Sequence, residues 1–215
     1  GRFQYFPKDD WREEFELAKK LDFSSIEWIV EMENFESNPL FSEQGRKEIK
    51  MQSKQHGIKV HSVFADYFMK KFLIGESAPE ALSILKDMIA YAPQIGASLI
   101  GIPLLENSAP KTMEEKNECV KNLTPLLKDA ERAHITFAFE TEMNAKELID
   151  FLESFSLASE KDASAFVGIC YDIGNATSYN FDCPQDIRIL GNRIKEIHLK
   201  DRKKGATQTM LLGTG

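Results

Sequence analysis

The sequence is poor in the features that mark several large protein classes. It has three cysteines in 215 residues and no CxxC pair, so neither a disulfide framework nor a cysteine-ligated zinc site is indicated. It also lacks the GxGxxG and Walker-type glycine-rich loops of dinucleotide and P-loop nucleotide sites. No apolar run approaches the roughly 18 residues that cross a membrane as a helix. We therefore expect a soluble protein of the reducing cytoplasm.

Positive charge is in the minority. Lys and Arg total 27 against 34 Asp and Glu, which gives a net charge of −7. Because contacts to phosphate backbones need concentrated positive charge, this balance argues against broad nucleic-acid binding. The expected partner is a small molecule rather than a nucleic acid or a membrane, and association as a homodimer is left open.

What the sequence does contain is one alternation, repeated along the chain. Short apolar and β-branched runs are each followed by a longer amphipathic stretch, with helix-start pairs such as Thr112 with Glu115 and Asn144 with Glu147. The runs are SSIEWIVE from Ser24, KVHSVFA from Lys59, SLIGIP from Ser98, ITFAFET from Ile135, VGICYDI from Val167 and EIHLKD from Glu196. Strand followed by helix, again and again, predicts parallel strands joined by right-handed crossovers.

The placement of ionisable residues favours a closed barrel over an open sheet. Counting a first strand that ends near Phe3, the third, fifth, sixth and seventh strands carry such residues at or near their C-terminal ends, namely His61, Glu140, Asp172 and His198. Barrel enzymes gather their catalytic groups at that end. We therefore predict a single TIM (β/α)8-type domain over residues 1–215. Since eight units need about 250 residues, we expect the barrel to be incomplete at the C-terminal end of this chain.

Three of these residues form a candidate metal site. Glu140 and Asp172 interrupt apolar strands, and a lone buried carboxylate is costly unless a cation, a metal or strong hydrogen bonds stabilise it. With His198 they offer two oxygen ligands and one imidazole from successive strands, a set that suits Mn²⁺, Mg²⁺, Co²⁺ or Zn²⁺. The alternative is structural, in which both carboxylates cap helix N-termini or pair with Lys200 and Arg202.

The order and spacing of the motifs resemble those of a known family. GRF followed by FPKDDWREEFELAKKLDFSSIEWIVE, then FAFET, CYDIGN and HLKDR with a trailing LGTG, is similar to the xylose-isomerase-like barrels of the sugar and sugar-phosphate isomerase and epimerase group. The resemblance extends over essentially the whole chain. It implies metal ligands on the fifth to eighth strands: a Glu, an Asp, a His and a second Glu. Glu140, Asp172 and His198 match the first three, and the second Glu would lie beyond Gly215.

The resemblance also implies a reaction. A ketose or aldose would bind through adjacent oxygens to a divalent ion, with Mn²⁺ as the first choice. The ion would stabilise the enediolate that forms when a carboxylate removes a carbon-bound proton. Glu140 is the implied proton carrier as well as a metal ligand. We thus expect a metal-dependent isomerase or epimerase of a sugar or sugar phosphate.

Four residues are expected to contact the substrate. His61 matches a family position that faces the pocket, where it could hydrogen-bond sugar hydroxyls, although a core histidine is the alternative. Asn175 falls where relatives carry a substrate-contacting His or Asn, or else it begins an Asx turn. Lys200 shares a strand face with His198 and could reach an anionic group, and Arg2 could meet a substrate oxygen or phosphate. Cys170, on the strand face of Asp172, is expected to line the barrel interior.

Two other functions stay open at this point. The same superfamily contains apurinic-site endonucleases that hold three zinc ions, and an AP-endonuclease-like metal phosphodiesterase is the first alternative. It is disfavoured because GIPLLEN, Asn175 and Thr207-Gln208-Thr209 occupy the places of its additional ligands. The second alternative is a catalytically inactive sugar-binding barrel, which the missing second Glu permits. Glu27, which matches a recurrent family residue, is expected to be structural.

Overall fold

A computed structural model describes residues 5–215, in which helices and strands alternate as predicted. The main strands are β1 (Ser25–Ile29), β2 (Lys59–Phe64), β3 (Leu99–Leu104), β4 (Thr136–Thr141), β5 (Val167–Asp172) and β6 (Ile194–His198). The helices are α1 (Glu13–Lys20), α2 (Glu43–His56), α3 (Ala78–Ile95), α4 (Met113–Ala133), α5 (Ala145–Ser159), α6 (Ile173–Ser178) and α7 (Cys183–Leu190). The predicted first strand, and Arg2 with it, lies outside the described residues.

Local sequence signals explain where two of the long helices begin. Thr112 accepts a hydrogen bond from the Glu115 amide, while the Glu115 carboxylate accepts from the Thr112 amide, so the predicted capping box starts α4. Asn144 and Glu147 form the same reciprocal arrangement at the start of α5. These caps satisfy amide groups that would otherwise lack partners in the first turn.

The six main strands form one parallel sheet in the order β1 to β6. The sheet is curled into a half-barrel. The evidence for the curl is that side chains of its first two strands contact side chains of its last strand across the concave face. Ser62 Oγ on β2 lies 2.7 Å from Glu196 Oε1 on β6, although β2 and β6 are not neighbours in the sheet. The prediction of a TIM-type α/β fold, incomplete in this chain, is therefore confirmed.

Two register irregularities interrupt the otherwise regular pairing. Along β1 and β2, Ile26 pairs with Val60 but Glu27 pairs with Ser62, so His61 is an additional residue in β2. Along β5 and β6, Ile169 pairs with Ile194 but Cys170 pairs with Glu196, which makes Lys195 the additional residue in β6. Both additional residues are exposed. A bulge of this kind shifts the side chains that follow it relative to the neighbouring strand.

The main hydrophobic core lies between the sheet and the helices. On β4 and α5, Phe139 stacks on Phe155 at 5.4 Å between ring centroids and meets Phe151 edge-on at 5.4 Å. A separate small cluster of Leu99, Ala138 and Cys170 comes from three adjacent strands. Packing on both faces of the sheet is typical of parallel barrels, whose interior is filled by side chains.

After β6 the chain forms a short antiparallel pair, β7 (Asp201–Arg202) with β8 (Thr209–Met210). Asp201 Oδ2 accepts hydrogen bonds from the amides of Gly213, Thr214 and Gly215 at 2.6, 3.0 and 3.1 Å. The Asp of HLKD thus orders the LGTG segment. Within residues 5–215, none of the helices combines the length and the apolar character that a membrane span requires.

Candidate active site

The three predicted ligands lie toward the C-terminal ends of adjacent strands. Glu140 is the penultimate residue of β4, whereas Asp172 and His198 end β5 and β6 and pair with each other in register. Glu140 and Asp172 are buried, with exposed fractions of 3% and 4%. Both carboxylates therefore need the compensating partners that the sequence indicated.

Glu140 has two partners that fix its carboxylate. Asn175 Nδ2 donates a hydrogen bond of 2.6 Å to Oε1, and His198 Nδ1 lies 3.6 Å from Oε2. Asn175 is itself buried and belongs to α6, so the chain brings it back over the end of β4. The structure therefore joins three sequence-predicted residues, Glu140, Asn175 and His198, in one contact network.

Asp172 makes the contacts of a structural residue. Its Oδ1 accepts from the Asn175 amide at 2.9 Å and caps α6, while Oδ2 lies 2.7 Å from Lys200 Nζ. The Asp172 side chain is 1% exposed and that of Lys200 is 16% exposed, so this is a buried ion pair. The structural alternative from the sequence thus describes Asp172 as it stands in this structure.

His198 connects Glu140 to a second group of polar residues on the concave face. Its Nε2 lies 3.2 Å from Glu27 Oε2, and its ring is 5.2 Å from that of Phe64. Burial lowers the pKa of His198, but interactions with Cys170, Glu140 and Glu27 outweigh this effect and raise the pKa above its ordinary value. These interactions favour the protonated form of the His198 ring.

Ser62 and Glu196, which the sequence analysis did not single out, complete this second group. Ser62 Oγ lies 3.0 Å from Glu27 Oε1 and 2.7 Å from Glu196 Oε1. Burial, followed by repulsion from Glu27, raises the pKa of Glu196 to about 7. The sequence did contain a signal for Glu196. It lies two residues before His198, and alternate residues of a strand share a face, so Glu196 was predictable as a neighbour of His198.

A pocket of about 380 Å³ opens at Glu140. Asn175, Lys200 and Arg202 line it, in agreement with the predicted substrate contacts of Asn175 and Lys200, which stay predictions. Four carboxylates and one phenol also line it: Asp66, Glu106, Glu140, Glu142 and Tyr179. The pocket therefore combines hydrogen-bonding groups of both charges, as expected for a polyhydroxylated ligand.

The structure does not bring His61 to this pocket. The Ser98 amide donates to the His61 carbonyl, and Ser62 pairs with Leu99, the first residue of β3. His61 therefore lies level with the beginning of β3, about 10 Å before the end of β2 at the usual rise of a strand. It is also the exposed additional residue of the bulge. This placement does not support the expectation that His61 faces the substrate, which stays a prediction. Arg2 lies outside the described residues.

The donor atoms suit a divalent cation at Glu140 and His198. Within residues 5–215, two sets of potential ligand atoms lie within 4.8 Å of one another: Glu140 with Cys170 and His198, and Glu27 with Glu196 and His198. Carboxylate, imidazole and thiolate are all established ligands of divalent transition ions. Asp172 belongs to neither set, because its carboxylate faces Lys200 and the start of α6.

Comparison with known proteins agrees with the geometry. The family model for xylose isomerase-like TIM barrels matches residues 15–215. The chain is 23% identical over 219 residues to L-ribulose-5-phosphate 3-epimerase UlaE of Escherichia coli, covering 95% of this chain and 73% of that protein.

Solved structures of low sequence identity share the fold. D-psicose 3-epimerase crystallised in the presence of D-fructose has a TM-score of 0.71 at 15% identity, covering 89% of this chain and 68% of that one. A xylose isomerase-like TIM barrel protein from Mycobacterium smegmatis in complex with magnesium has a TM-score of 0.68 at 14% identity, covering 94% and 69%.

Proposed function

Because the chain belongs to the xylose isomerase-like TIM-barrel family, we propose that it is a sugar isomerase or epimerase in which Glu140 carries the proton. The observation that supports this most is the environment of Glu140. Its carboxylate is buried, lines the pocket and is held by Asn175 at 2.6 Å. A carboxylate fixed in this way can exchange a proton with a bound sugar without competing water.

The two oxygens of Glu140 have different tasks in this proposal. Oε1 accepts the hydrogen bond of Asn175, which fixes the plane of the carboxylate. Oε2 then receives the carbon-bound proton of the sugar and would return it on the same face to the neighbouring carbon, which gives an isomer. An epimer requires a proton on the opposite face of the original carbon, and a second acid would have to deliver it, because Glu140 lies on one face of the sugar only. Lys200 and Asn175 would position the sugar, since both line the pocket.

Glu140 and His198 would hold a divalent ion, for which Mn²⁺ is the first choice and Mg²⁺, Co²⁺ and Zn²⁺ are the alternatives. When bound, such an ion supplies Lewis-acid stabilisation of negative charge on sugar oxygens. Asp172, the third ligand predicted from the sequence, would have to leave Lys200 to join them. The cytoplasmic location and the homodimer stay predictions from the sequence.

The test is exchange of carbon-bound hydrogen with deuterated solvent, followed by NMR, across a panel of ketoses and ketose phosphates with added Mn²⁺. The carbon that exchanges identifies the reaction. We expect Glu140→Gln to slow exchange by more than the roughly 10² to 10⁴-fold of general acid–base catalysis, because electrostatic stabilisation weakens as well. Glu153→Gln, on the exposed face of α5, is the matched control and should exchange at the parent rate.

Two outcomes would contradict the proposal. Near-parent exchange by Glu140→Gln would show that another group carries the proton. Sugar binding by the parent protein with no exchange at any carbon would favour the inactive sugar-binding barrel instead.

A further inference from the structure

A sulfur atom lies among the donors of the candidate metal site. Cys170, on β5, is 2% exposed and offers Sγ within 4.8 Å of ligand atoms of Glu140 and His198. The three residues come from the adjacent strands β4, β5 and β6. Rigid parallel strands hold all three, so the cluster does not depend on the position of a loop.

The side chains that pack directly against Cys170 supply no donor atoms of their own. Cys170 packs with Leu99 and Ala138, which are apolar and buried at 5% and 0% exposed. Asp172, two residues further along β5, is held by Lys200 at 2.7 Å and by the Asn175 amide at 2.9 Å. Moving the Asp172 carboxylate to the ion would leave the buried Lys200 ammonium without its partner, which is costly.

We propose that Cys170 is a ligand of the divalent ion, as a thiolate, together with Glu140 and His198, while Asp172 remains paired with Lys200. The proposal rests on the proposed function only for the presence of a metal at this site. On coordination the thiol loses its proton to solvent, and the imidazolium of His198 loses its proton likewise. A sulfur–metal bond and a nitrogen–metal bond form, and nothing is oxidised or reduced.

The donor set determines which ions bind tightly. One carboxylate oxygen, one imidazole nitrogen and one thiolate suit Zn²⁺ and Co²⁺, whereas Mg²⁺ prefers oxygen ligands alone. The thiolate is the form of cysteine that ligates metals, so binding of the ion displaces the thiol proton of Cys170. The inference therefore changes the expected preference from Mn²⁺ toward Zn²⁺ and Co²⁺.

The test is a titration of the metal-free full chain with Co²⁺, followed by optical absorbance. A thiolate ligand gives an intense near-ultraviolet sulfur-to-cobalt charge-transfer band, which carboxylate and imidazole ligands do not give. We expect this band in the parent protein and its loss in Cys170→Ser. Co²⁺ affinity should fall at least about 10-fold, the lower end of the cost of losing even an outer-shell partner.

The chain supplies matched controls. Cys119 is a fully buried cysteine in the helix layer and Cys183 is a partly buried one at the start of α7, so Cys119→Ser and Cys183→Ser should both keep the band. Asp172→Asn should keep it as well. If Cys170→Ser folds poorly, a band that persists in the Cys119→Ser, Cys183→Ser double variant assigns the sulfur ligand to Cys170.

Three results would overturn the proposal: Co²⁺ bound by the parent protein without the band, a band that persists in Cys170→Ser, or no binding of Co²⁺. If the band is absent and Asp172→Asn loses Co²⁺ binding, the ligand set is the one predicted from the sequence. Solvent deuterium exchange with Mn²⁺ is measured separately, so failure of the sulfur ligand is distinguishable from failure of the proposed function.

Discussion

Replacement of Glu196 by Gln should make the metal-free protein more stable above neutral pH. Glu196 and Glu27 both approach the single hydroxyl of Ser62, at 2.7 and 3.0 Å. A hydroxyl has one proton to donate, so one of the two contacts needs a proton from the carboxyl side. Glu196 Oε2 is also buried with no hydrogen-bond partner among the described residues. These contacts suit a protonated carboxyl or an amide better than a carboxylate.

The magnitude follows from the pKa of Glu196, which burial raises from 4.5 to about 7. A rise of about 2.5 units corresponds to about 3 kcal/mol at 1.36 kcal/mol per unit. Between these two values the folded protein binds more protons than the unfolded chain, so its stability falls as pH rises. The contribution is fully present below pH 4.5 and is lost above pH 7. Gln does not titrate, so Glu196→Gln avoids this loss.

The assay is urea unfolding of both proteins in chelator at several pH values. The stability difference between Glu196→Gln and the parent should grow from near zero at pH 4 to at most about 3 kcal/mol at pH 8. The exposed variant Glu153→Gln should stay within about 0.5 kcal/mol of the parent throughout. A difference that does not change with pH would refute the reasoning, because it would show that Glu196 binds protons equally in the folded and unfolded states.

Two further predictions concern buried polar contacts elsewhere. Asn38→Ala should cost about 3 kcal/mol in urea unfolding, because it leaves the Trp28 indole and the Ile29 carbonyl, both 2.9 Å from Asn38, without their partner; a cost below about 1 kcal/mol would contradict this. Lys200→Met should cost about 3 to 5 kcal/mol by leaving Asp172 unpaired, and Asp172→Asn with Lys200→Met should cost less than Lys200→Met alone. A strictly additive double variant would show that the two groups do not interact.

The fold was predictable because its signals are local. The capping boxes at Thr112 and Asn144 depend on residues three apart, and each strand is one short apolar run. The prediction that Glu140, Asp172 and His198 share one end of the sheet follows from the common direction of parallel strands. The contact partners of each side chain were harder to predict from the sequence, because they depend on which oxygen atom faces which neighbouring residue.

Long-range contacts account for what the sequence did not reveal. Ser62 and Glu196 are 134 residues apart in the chain, and only the curl of the sheet brings them together. Asp172 was expected beside Glu140, but the start of α6 and Lys200 hold it instead. The bulge at His61 could not be predicted for a related reason, since no sequence pattern indicated that β2 carries an additional residue there.

The two bulges each take up one residue without changing the face on which the concave-face polar group lies. His61 and Lys195 each precede a residue of that group, Ser62 and Glu196. Val60 and Val63 both pack in the main core, so Ser62 alternates with them only when His61 is left out of the count. Deleting either additional residue would therefore restore a regular ladder and leave Ser62, Glu196 and His198 on the concave face. The site should thus tolerate the loss of one exposed residue from β2 or β6, with a change in local strand twist as the main effect.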